Sequence, residues 1–261
     1  MAALFFDIDG TLLSEVTRKV PDSALKALRA AKEAGHQVFV NTGRTCCSIP
    51  QEILRIPFDG FLCGCGIHLS HHGEVVFETH LSDAEREGIE NMAVKCSVEC
   101  IYEGEKDVFF RDYPSRYERL ESTKRYMNKR GLGLECHVGR DACAFDKIFV
   151  YVDDRTDTEK FFAYIRSFMD IIDRGNHAYE CVMKGYSKAT AIDCILERLH
   201  MDRSQSYGFG DSSNDLTMLQ CVEHAVAMGA HDPVLDPYVE LVAERVEDDG
   251  IFHAMQQLGL I

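Results

Sequence analysis

Three aspartates stand in two short segments from which they could share a divalent cation. Asp7 and Asp9 follow one apolar run, and Asp211 follows another much later in the chain. Carboxylates that are brought together repel one another, and their pKa values rise unless a cation lies between them. Oxygen-rich sites with open coordination positions suit Mg²⁺, which keeps bound water and accepts an oxygen of a substrate phosphate. If the two segments converge, these aspartates are candidate ligands for Mg²⁺.

Other segments place polar groups at the ends of predicted strands or at the starts of the helices that follow. They contain Thr42, Gly43, Lys188, Asn214 and Asp215. A lysine beside a divalent cation would supply the positive charge that a bound phosphoryl group needs. Ligands of an open parallel sheet bind beyond the carboxyl ends of its strands. Polar segments that end such strands, or begin the helices after them, would therefore meet in one crevice.

The elements that must position these residues are short apolar runs alternating with helical patterns. The runs comprise residues 4–6, 38–40, 59–63, 207–210 and 225–228. Between some of them, residues 22–34 and Lys188–Leu199 place apolar side chains at helical spacing. Continuous apolar runs separated by helices favour a buried parallel sheet. The sequence therefore predicts an α/β fold with a doubly wound parallel sheet.

The middle of the chain has a different character. Residues 82–184 are more charged and mix strand-like runs with helical stretches at 117–129 and 158–169. This pattern predicts an α+β domain. Just before it, a hairpin is predicted, with His71 and His72 exposed at its tip.

The spacing of the polar segments indicates where this domain is inserted. Thr42 stands 35 positions after Asp7, which is room for one strand-helix-strand unit. Lys188 stands 146 positions after Thr42, far more than a crossover connection needs. We therefore predict a core formed by residues 1–81 and 185–261, with the α+β domain inserted between its two parts.

Composition and charge limit the partners. The chain has 28 basic and 43 acidic residues and a formal net charge of −15. This excess of negative charge repels phosphate backbones and anionic headgroups, which argues against nucleic acid or a membrane as a partner. It does not exclude a small phosphate ester held in a local cationic pocket.

Location follows from what the sequence lacks. The N-terminal apolar run is too short for a secretory signal, and no run approaches the roughly 18 apolar residues of a membrane span. The cysteines number eleven, an odd count. We expect a cytoplasmic protein with reduced thiols.

The polar segments, in order, resemble the four motifs of the haloacid dehalogenase (HAD) superfamily of phosphatases. They read Asp7-Ile8-Asp9-Gly10-Thr11, Thr42-Gly43-Arg44, Ser187-Lys188 and Gly210-Asp211-Ser212-Ser213-Asn214-Asp215. The resemblance covers almost the whole chain. It implies a Rossmann-like core, and the position of the insert is similar to that of the C2-type cap in the Cof-like phosphatases.

The resemblance also implies a function. Cof-like members hydrolyse phosphorylated sugars and other small metabolites, so we expect a Mg²⁺-dependent phosphoric monoester hydrolase whose cap, at 82–184, determines specificity. Its partner would be a small phosphorylated metabolite, and it would act as a monomer or small homo-oligomer.

Catalytic roles carried over from the family fall on three residues. Asp7 would be the nucleophile that forms an aspartyl-phosphate. Asp9 would protonate the leaving oxygen and then activate water, and we expect it on the same side of an extended strand as Asp7. Lys188 would neutralise phosphoryl charge and hold Asp7.

Binding roles carried over from the family fall on the remaining motif residues. Thr42 and the backbone of Gly43 would donate to phosphoryl oxygens, and Asn214 would reach the phosphate. Asp211 would bind Mg²⁺ together with the Asp7 carboxylate and the Asp9 carbonyl, while Asp215 would orient Lys188.

Other interpretations remain open at this stage. Taken alone, the Asp7–Asp9 pair could form a turn, Lys188 could be a solvated helix residue, and Asn214 and Asp215 could cap a helix. A non-catalytic phosphometabolite-binding or interaction protein would keep the same fold. A phosphosugar mutase on that fold would pass the phosphoryl group to a second sugar.

The spacing of the cysteines, and of the residues at the end of the insert, does not indicate a particular chemistry. Cys46, Cys47, Cys63 and Cys65 lack the spacing of a zinc site, and we expect small buried residues instead. Related Cof-like sequences usually carry Asn-Gly where this chain has Cys65-Gly66, which bears on contacts with the leaving group. The insert's candidate specificity residues, left without roles, are Tyr179, Glu180, Met183 and Lys184.

Overall fold

The structure is a computed structural model that describes residues 1–261, and it contains fourteen strands. They are β1 (Ala3–Phe6), β2 (Gln37–Asn41), β3 (Gly60–Cys63), β4 (His68–His71), β5 (Glu74–Glu78), β6 (Glu99–Glu103), β7 (Val108–Arg111), β8 (His137–Val138), β9 (Lys147–Tyr151), β10 (Met169–Asp173), β11 (Ala178–Met183), β12 (Ser206–Gly210), β13 (His224–Ala227) and β14 (Leu241–Val242).

Eight α-helices accompany the strands. They are α1 (Asp22–Glu33), α2 (Gln51–Leu54), α3 (Asp83–Lys95), α4 (Glu118–Lys129), α5 (Thr158–Ile165), α6 (Lys188–Leu199), α7 (Leu216–Cys221) and α8 (Gly250–Gln257). None of them has the length and apolarity that crossing a membrane requires.

The first of two compact units is built around an eight-stranded sheet. It comprises Met1–Gly43, Ile49–Glu78 and Tyr186–Ile261. The strand order is β14-β13-β12-β1-β2-β3-β4-β5, parallel from β14 to β3 and antiparallel from β3 to β5. From β1 the chain proceeds to one side through β2 and β3, and it later fills the other side through β12, β13 and β14. This is a doubly wound arrangement, and it confirms the predicted α/β core.

Aromatic packing holds β1 at the centre of this sheet. All four residues of Ala3–Phe6 are buried. Phe5 stacks on Phe39 of β2 with ring centroids 5.3 Å apart, and Phe6 stacks on Phe209 of β12 at 4.5 Å. A central parallel strand is covered on both faces, which is why the run is apolar at every position.

The second unit is of the α+β type, as predicted. It comprises Arg44–Ser48 and Thr79–Gly185. Its six strands have the order β10-β11-β9-β6-β7-β8 and are antiparallel except for the β7–β8 pair. Ile89 of α3 and Phe161 of α5 share one buried cluster with Tyr102 of the sheet. The unit therefore has a hydrophobic core of its own.

One helix is shorter than the sequence predicts. Helical periodicity suggested residues 158–169, but α5 ends at Ile165. The backbone N–H of Phe168 donates to the Ile165 carbonyl at 3.0 Å, which closes a turn. Met169 then starts β10 and pairs with Met183 of β11. Met169 therefore fits the apolar helical pattern of the sequence, but in the structure it belongs to a strand.

The predicted exposure of His71 is also wrong. His71 pairs with Glu74 inside the hairpin, and His72 and Gly73 form the two-residue loop. Both loop residues have positive φ, as a type I′ turn requires. His71 is buried, packs against Phe39 and accepts a hydrogen bond at Nδ1 from the guanidinium of Arg198.

Candidate active site

Three neighbouring parallel strands bring candidate residues to one edge of the sheet. Phe6, the last residue of β1, lies opposite Phe209 of β12, and β2 flanks β1 on its other side. Asp7 follows directly, and its backbone N–H donates to the Phe209 carbonyl at 3.0 Å. Thr42 follows β2 and Asp211 follows β12. The first, second and fourth motifs therefore leave the sheet at adjacent strand ends.

A tight turn, and not an extended strand, follows Asp7. β1 ends at Phe6, and the backbone N–H of Leu13 donates to the Ile8 carbonyl at 2.7 Å. The expectation that Asp7 and Asp9 share one side of a strand is therefore wrong. The two carboxylates still interact: burial raises the pKa of Asp7, and the nearby charge of Asp9 adds to that rise.

Lys188 lies at the centre of the candidate site and is fully buried. Its Nζ lies 2.6 Å from Asp7 Oδ1 and 2.5 Å from Asp215 Oδ1. Burial alone would lower the pKa of Lys188, but Asp215 and Asp7 raise it well above its usual value. The solvated-lysine interpretation is thus excluded, because this ammonium group bridges two buried carboxylates.

The start of α6 places Lys188 in this position. Ser187 is the N-cap of the helix, and its hydroxyl accepts from the Thr190 backbone N–H at 3.2 Å. Thr190 Oγ1 in turn accepts from the Ser187 backbone N–H at 2.9 Å. This reciprocal capping box makes Lys188 the first residue of the helix.

The loop after β12 is organised by Asp215. Its Oδ2 accepts from the backbone N–H groups of Asp211 and Ser212, each at 3.0 Å, while its Oδ1 faces Lys188. Asn214 lies in the same turn, and its Oδ1 accepts from the Ser212 hydroxyl at 2.8 Å. Capping of the turn and contact with Lys188 therefore coexist in one carboxylate.

The donor set fits a hard divalent cation. Carboxylate oxygens of Asp7, Asp211 and Asp215 lie within 4.8 Å of one another. Burial raises the pKa of Asp211, and the charges of Asp7 and Asp215 raise it further. Burial likewise raises the pKa of Asp7, against the attraction of Lys188. A bound Mg²⁺ would offset this repulsion, since it prefers oxygen ligands and favours their ionised forms.

Comparison with known proteins identifies the family. Residues 4–255 match the family of haloacid dehalogenase-like hydrolases. The chain belongs to this family. The match spans all four motifs and confirms the resemblance seen in the sequence.

Two relatives of this HAD-like hydrolase match it over nearly their whole length. YkrA of Bacillus subtilis, provisionally named a phosphatase, is 27% identical over 269 residues, covering 99% of this chain and 98% of the relative. The phosphoglycolate phosphatase of Methanothermobacter thermautotrophicus is 23% identical over 98% of both chains. The family match and the relatives named as phosphatases confirm the predicted enzyme class, a HAD-type phosphatase.

Solved structures share the fold of this hydrolase. A hypothetical protein from Geobacillus kaustophilus superposes with a TM-score of 0.86 at 24% identity, covering 100% of this chain and 99% of the other. BT4131, described as a sugar phosphatase of HAD subclass IIB, superposes with a TM-score of 0.84 at 24% identity and covers 100% of both chains.

Two residues that support Asp211 in this hydrolase received no role from the sequence. Thr11 is fully buried, and its hydroxyl donates to Asp211 Oδ1 at 2.9 Å. A Cβ on Gly10, whose φ is +79°, would lie 2.3 Å from Asp211 Oδ2. Both residues lie within the first motif, and this position was the feature of the sequence that could have indicated a role for them. Their partner lies two hundred positions away, so the contact was not visible in the sequence.

The turn that connects β3 to β4 contacts the second and third motifs. The backbone N–H of Cys65 donates to the Thr42 carbonyl at 3.1 Å. Cys65 is buried and has a φ of +58°. A Cβ on Gly66 would lie 2.5 Å from the Ser187 carbonyl oxygen, so only glycine allows this approach. Cys63 is buried as well, and none of the eleven cysteines forms a disulfide.

The candidate specificity residues of the insert lie on β11, between β10 and β9, or directly after it. Tyr179, Glu180 and Met183 belong to β11, which Lys184 follows. Glu180 is buried, and the Nζ of Lys147 lies 3.1 Å from its Oε1. Glu180 therefore belongs to a buried ion cluster of the second unit.

Proposed function

We propose that this HAD-type phosphatase depends on Mg²⁺ and hydrolyses small phosphorylated metabolites, with sugar phosphates as the expected class. The observation that carries the proposal is the buried ammonium of Lys188 between Asp7, at 2.6 Å, and Asp215, at 2.5 Å. It leaves one carboxylate, Asp7, at a strand end beside a fixed positive charge. Such preorganised charge stabilises the transition state of phosphoryl transfer.

The proposed reaction proceeds in two displacements. A carboxylate oxygen of Asp7 attacks phosphorus, the bond from phosphorus to the leaving oxygen breaks, and Asp9 donates its proton to that oxygen. Asp9 then accepts a proton from water as the water oxygen attacks the aspartyl-phosphate. Inorganic phosphate leaves, and Asp7 and Asp9 return to their starting states.

Neutral donors and Lys188 would bind the phosphoryl oxygens. Thr42 is buried at the end of β2, next to the end of β1, and we assign its hydroxyl and the Gly43 N–H to this role. The Oδ1 of Asn214 accepts from Ser212, which fixes the amide so that Nδ2 is available as a donor. Lys188 contributes the charge.

Magnesium would be held by the carboxylates of Asp7 and Asp211 and by the backbone carbonyl of Asp9. When bound, it supplies positive charge to the transferring phosphoryl group. Thr11 and Gly10 serve this arrangement, since they fix the orientation of the Asp211 carboxylate. Asp215 orients Lys188 and is not needed as a metal ligand.

Substrate recognition is assigned to the inserted domain, residues 82–184, and catalysis to residues 1–81 and 185–261. The sugar-phosphate class is supported by the fold shared with the sugar phosphatase BT4131. A cytoplasmic location, a small phosphorylated metabolite as partner and a monomeric or small homo-oligomeric state complete the proposal.

The test is release of inorganic phosphate from p-nitrophenyl phosphate and from a panel of phosphorylated metabolites. We expect release to require Mg²⁺ and to vanish in Asp7→Asn. Turnover that survives this substitution, or that persists in excess chelator, would contradict the proposal. Transfer of the phosphoryl group to an added sugar instead of water would indicate a mutase.

A further inference from the structure

We infer that Asn41 is a positioning residue that holds Lys188 in its catalytic orientation, an inference that rests on the function proposed above. Asn41 is the last residue of β2 and is fully buried. Its Nδ2 donates to the backbone carbonyl of Lys188 at 2.9 Å. One side-chain amide therefore joins the strand that precedes Thr42 to the first residue of α6.

The hydrogen bond from Asn41 fixes the backbone of Lys188, which the two ion pairs at Nζ do not hold. The ammonium is held by Asp7 and Asp215, while the backbone carbonyl is held by Asn41. The stem of Lys188 is fully buried and closely surrounded, so it has little freedom to absorb a shift of the backbone, and such a shift would move Nζ. Loss of the amide would let the first turn of α6 move and would misplace the charge beside Asp7.

The unsatisfied half of the same amide supports a functional role. No donor of the protein reaches Oδ1 of Asn41. An unpaired buried acceptor destabilises the folded state, and an apolar side chain of similar size would avoid this penalty. Unpaired buried groups of this kind are expected where geometry serves function.

Packing also defines the neighbourhood of this contact. Gly66 approaches the carbonyl of Ser187 so closely that a Cβ would lie 2.5 Å away. This close packing supports Ser187, the N-cap residue of α6, but it provides no hydrogen bond to Lys188. The hydrogen bond comes from Asn41, so the contribution of Asn41 can be measured separately from that of packing.

A double-mutant cycle tests whether Asn41 acts through Lys188. Asn41→Ala and Asn41→Leu both remove the donor but differ in volume, so the pair guards against misfolding of either one. Each is made in the natural chain and in Lys188→Ala. We measure kcat and KM for p-nitrophenyl phosphate, the affinity for inorganic phosphate by calorimetry, and the melting temperature. Calorimetry gives a readout that needs no turnover.

In the natural chain, both replacements should lower kcat/KM by roughly 10- to 100-fold, as small misplacements of catalytic groups do. In Lys188→Ala they should change it less than about twofold, because the group they position is gone. Ser206→Ala is the control: this hydroxyl is buried and bonded to the Arg203 carbonyl at the start of β12. It should lower the melting temperature and leave kcat/KM unchanged.

Equal losses in both Lys188 backgrounds, or no loss in the natural chain, would overturn the inference. These outcomes differ from failure of the proposed function. In that case the natural chain itself would release no phosphate, or Asp7→Asn would still release it. An active natural chain with unaffected Asn41 variants would disprove only the role of Asn41.

Discussion

Lys188 and Asp215 form an ion pair that is withdrawn from solvent, with both side chains 0% exposed and Nζ 2.5 Å from Oδ1. Desolvation of two charges offsets most of their attraction, so such a pair adds little net stability. Breaking it is different, because the remaining charge is left buried and unpaired. We therefore propose that the pair serves chiefly to orient the ammonium group towards Asp7.

Asp215→Asn should impair both stability and activity. The replacement removes the charge opposite Lys188, and its amide cannot accept from both loop N–H groups and Lys188 as the carboxylate does. We expect a loss of about 3–5 kcal/mol in the free energy of unfolding and a fall in kcat/KM of roughly 100-fold. Urea denaturation and phosphate release measure the two effects.

The matched control is Asp193→Asn, whose partner Arg203 is on the surface. Exposed pairs contribute about 0–1 kcal/mol, so this variant should resemble the natural chain. A stable, active Asp215→Asn protein would show that Lys188 needs no orienting partner.

Gly10→Ala should abolish activity. The new methyl group would lie 2.3 Å from Asp211 Oδ2, and the residue would have to keep a φ of +79°. The carboxylate must therefore move, and it is a proposed magnesium ligand. Gly35→Ala is a close control: its φ is +84°, and its Cβ would meet no atom within 4 Å. Gly35→Ala should lower stability by about 1 kcal/mol through backbone strain and keep full turnover. Equal activity of the two variants would contradict the assignment.

Asp211→Asn should greatly reduce the stabilisation of the fold by magnesium. Without a cation, the buried carboxylates of Asp7, Asp211 and Asp215 repel one another, so the variant should melt at a higher temperature than the natural chain in chelator. With Mg²⁺ at about 100 times its Kd, the natural chain should gain about 2.7 kcal/mol, and the variant should gain far less. Thermal melts at matched ionic strength test this, with Ca²⁺-free buffers throughout. An equal magnesium-induced shift in both proteins would place the cation elsewhere.

His71 should make the core sensitive to acid. Burial lowers the pKa of His71, and the charges of His72 and Arg198 lower it further. The unfolded chain therefore takes up this proton at a higher pH than the folded chain. The free energy of unfolding should therefore decline as the pH falls below about 6.5, the usual pKa of a histidine.

His71→Phe should flatten part of that decline, because its ring can still pack on Phe39. Denaturation midpoints between pH 5 and pH 8 measure the difference. An unchanged slope in His71→Phe would assign the acid sensitivity to other groups.

Local patterns predicted the elements of the core well. Lys188–Leu199 is the observed extent of α6, since its capping residues and its apolar stripe lie in the segment itself. The all-apolar run at 4–6 predicted a central strand because burial on both faces leaves a local signature. Motif order predicted which segments would meet at the sheet edge.

Features that depend on distant partners were not predictable in the same way. The burial of Lys188 requires carboxylates 181 and 27 positions away. His71 is buried because Arg198 and Phe39 pack on it, and nothing near it in sequence indicates this. Asp7 and Asp9 do not form a strand pair because β1 ends at Phe6, three residues before Asp9, so the alternation rule does not apply.

The position of β1 has a consequence for how the chain acquires activity during synthesis. β1 is made first, yet one of its two neighbours, β12, begins only at Ser206. The nascent chain therefore carries a strand with one unpaired edge until most of translation is complete. Lys188 and Asp215, the contacts that surround the proposed nucleophile Asp7, also emerge from the ribosome late. We therefore expect no phosphatase activity from a chain that ends before Asp215, and long-range parallel pairing of this kind makes folding slow.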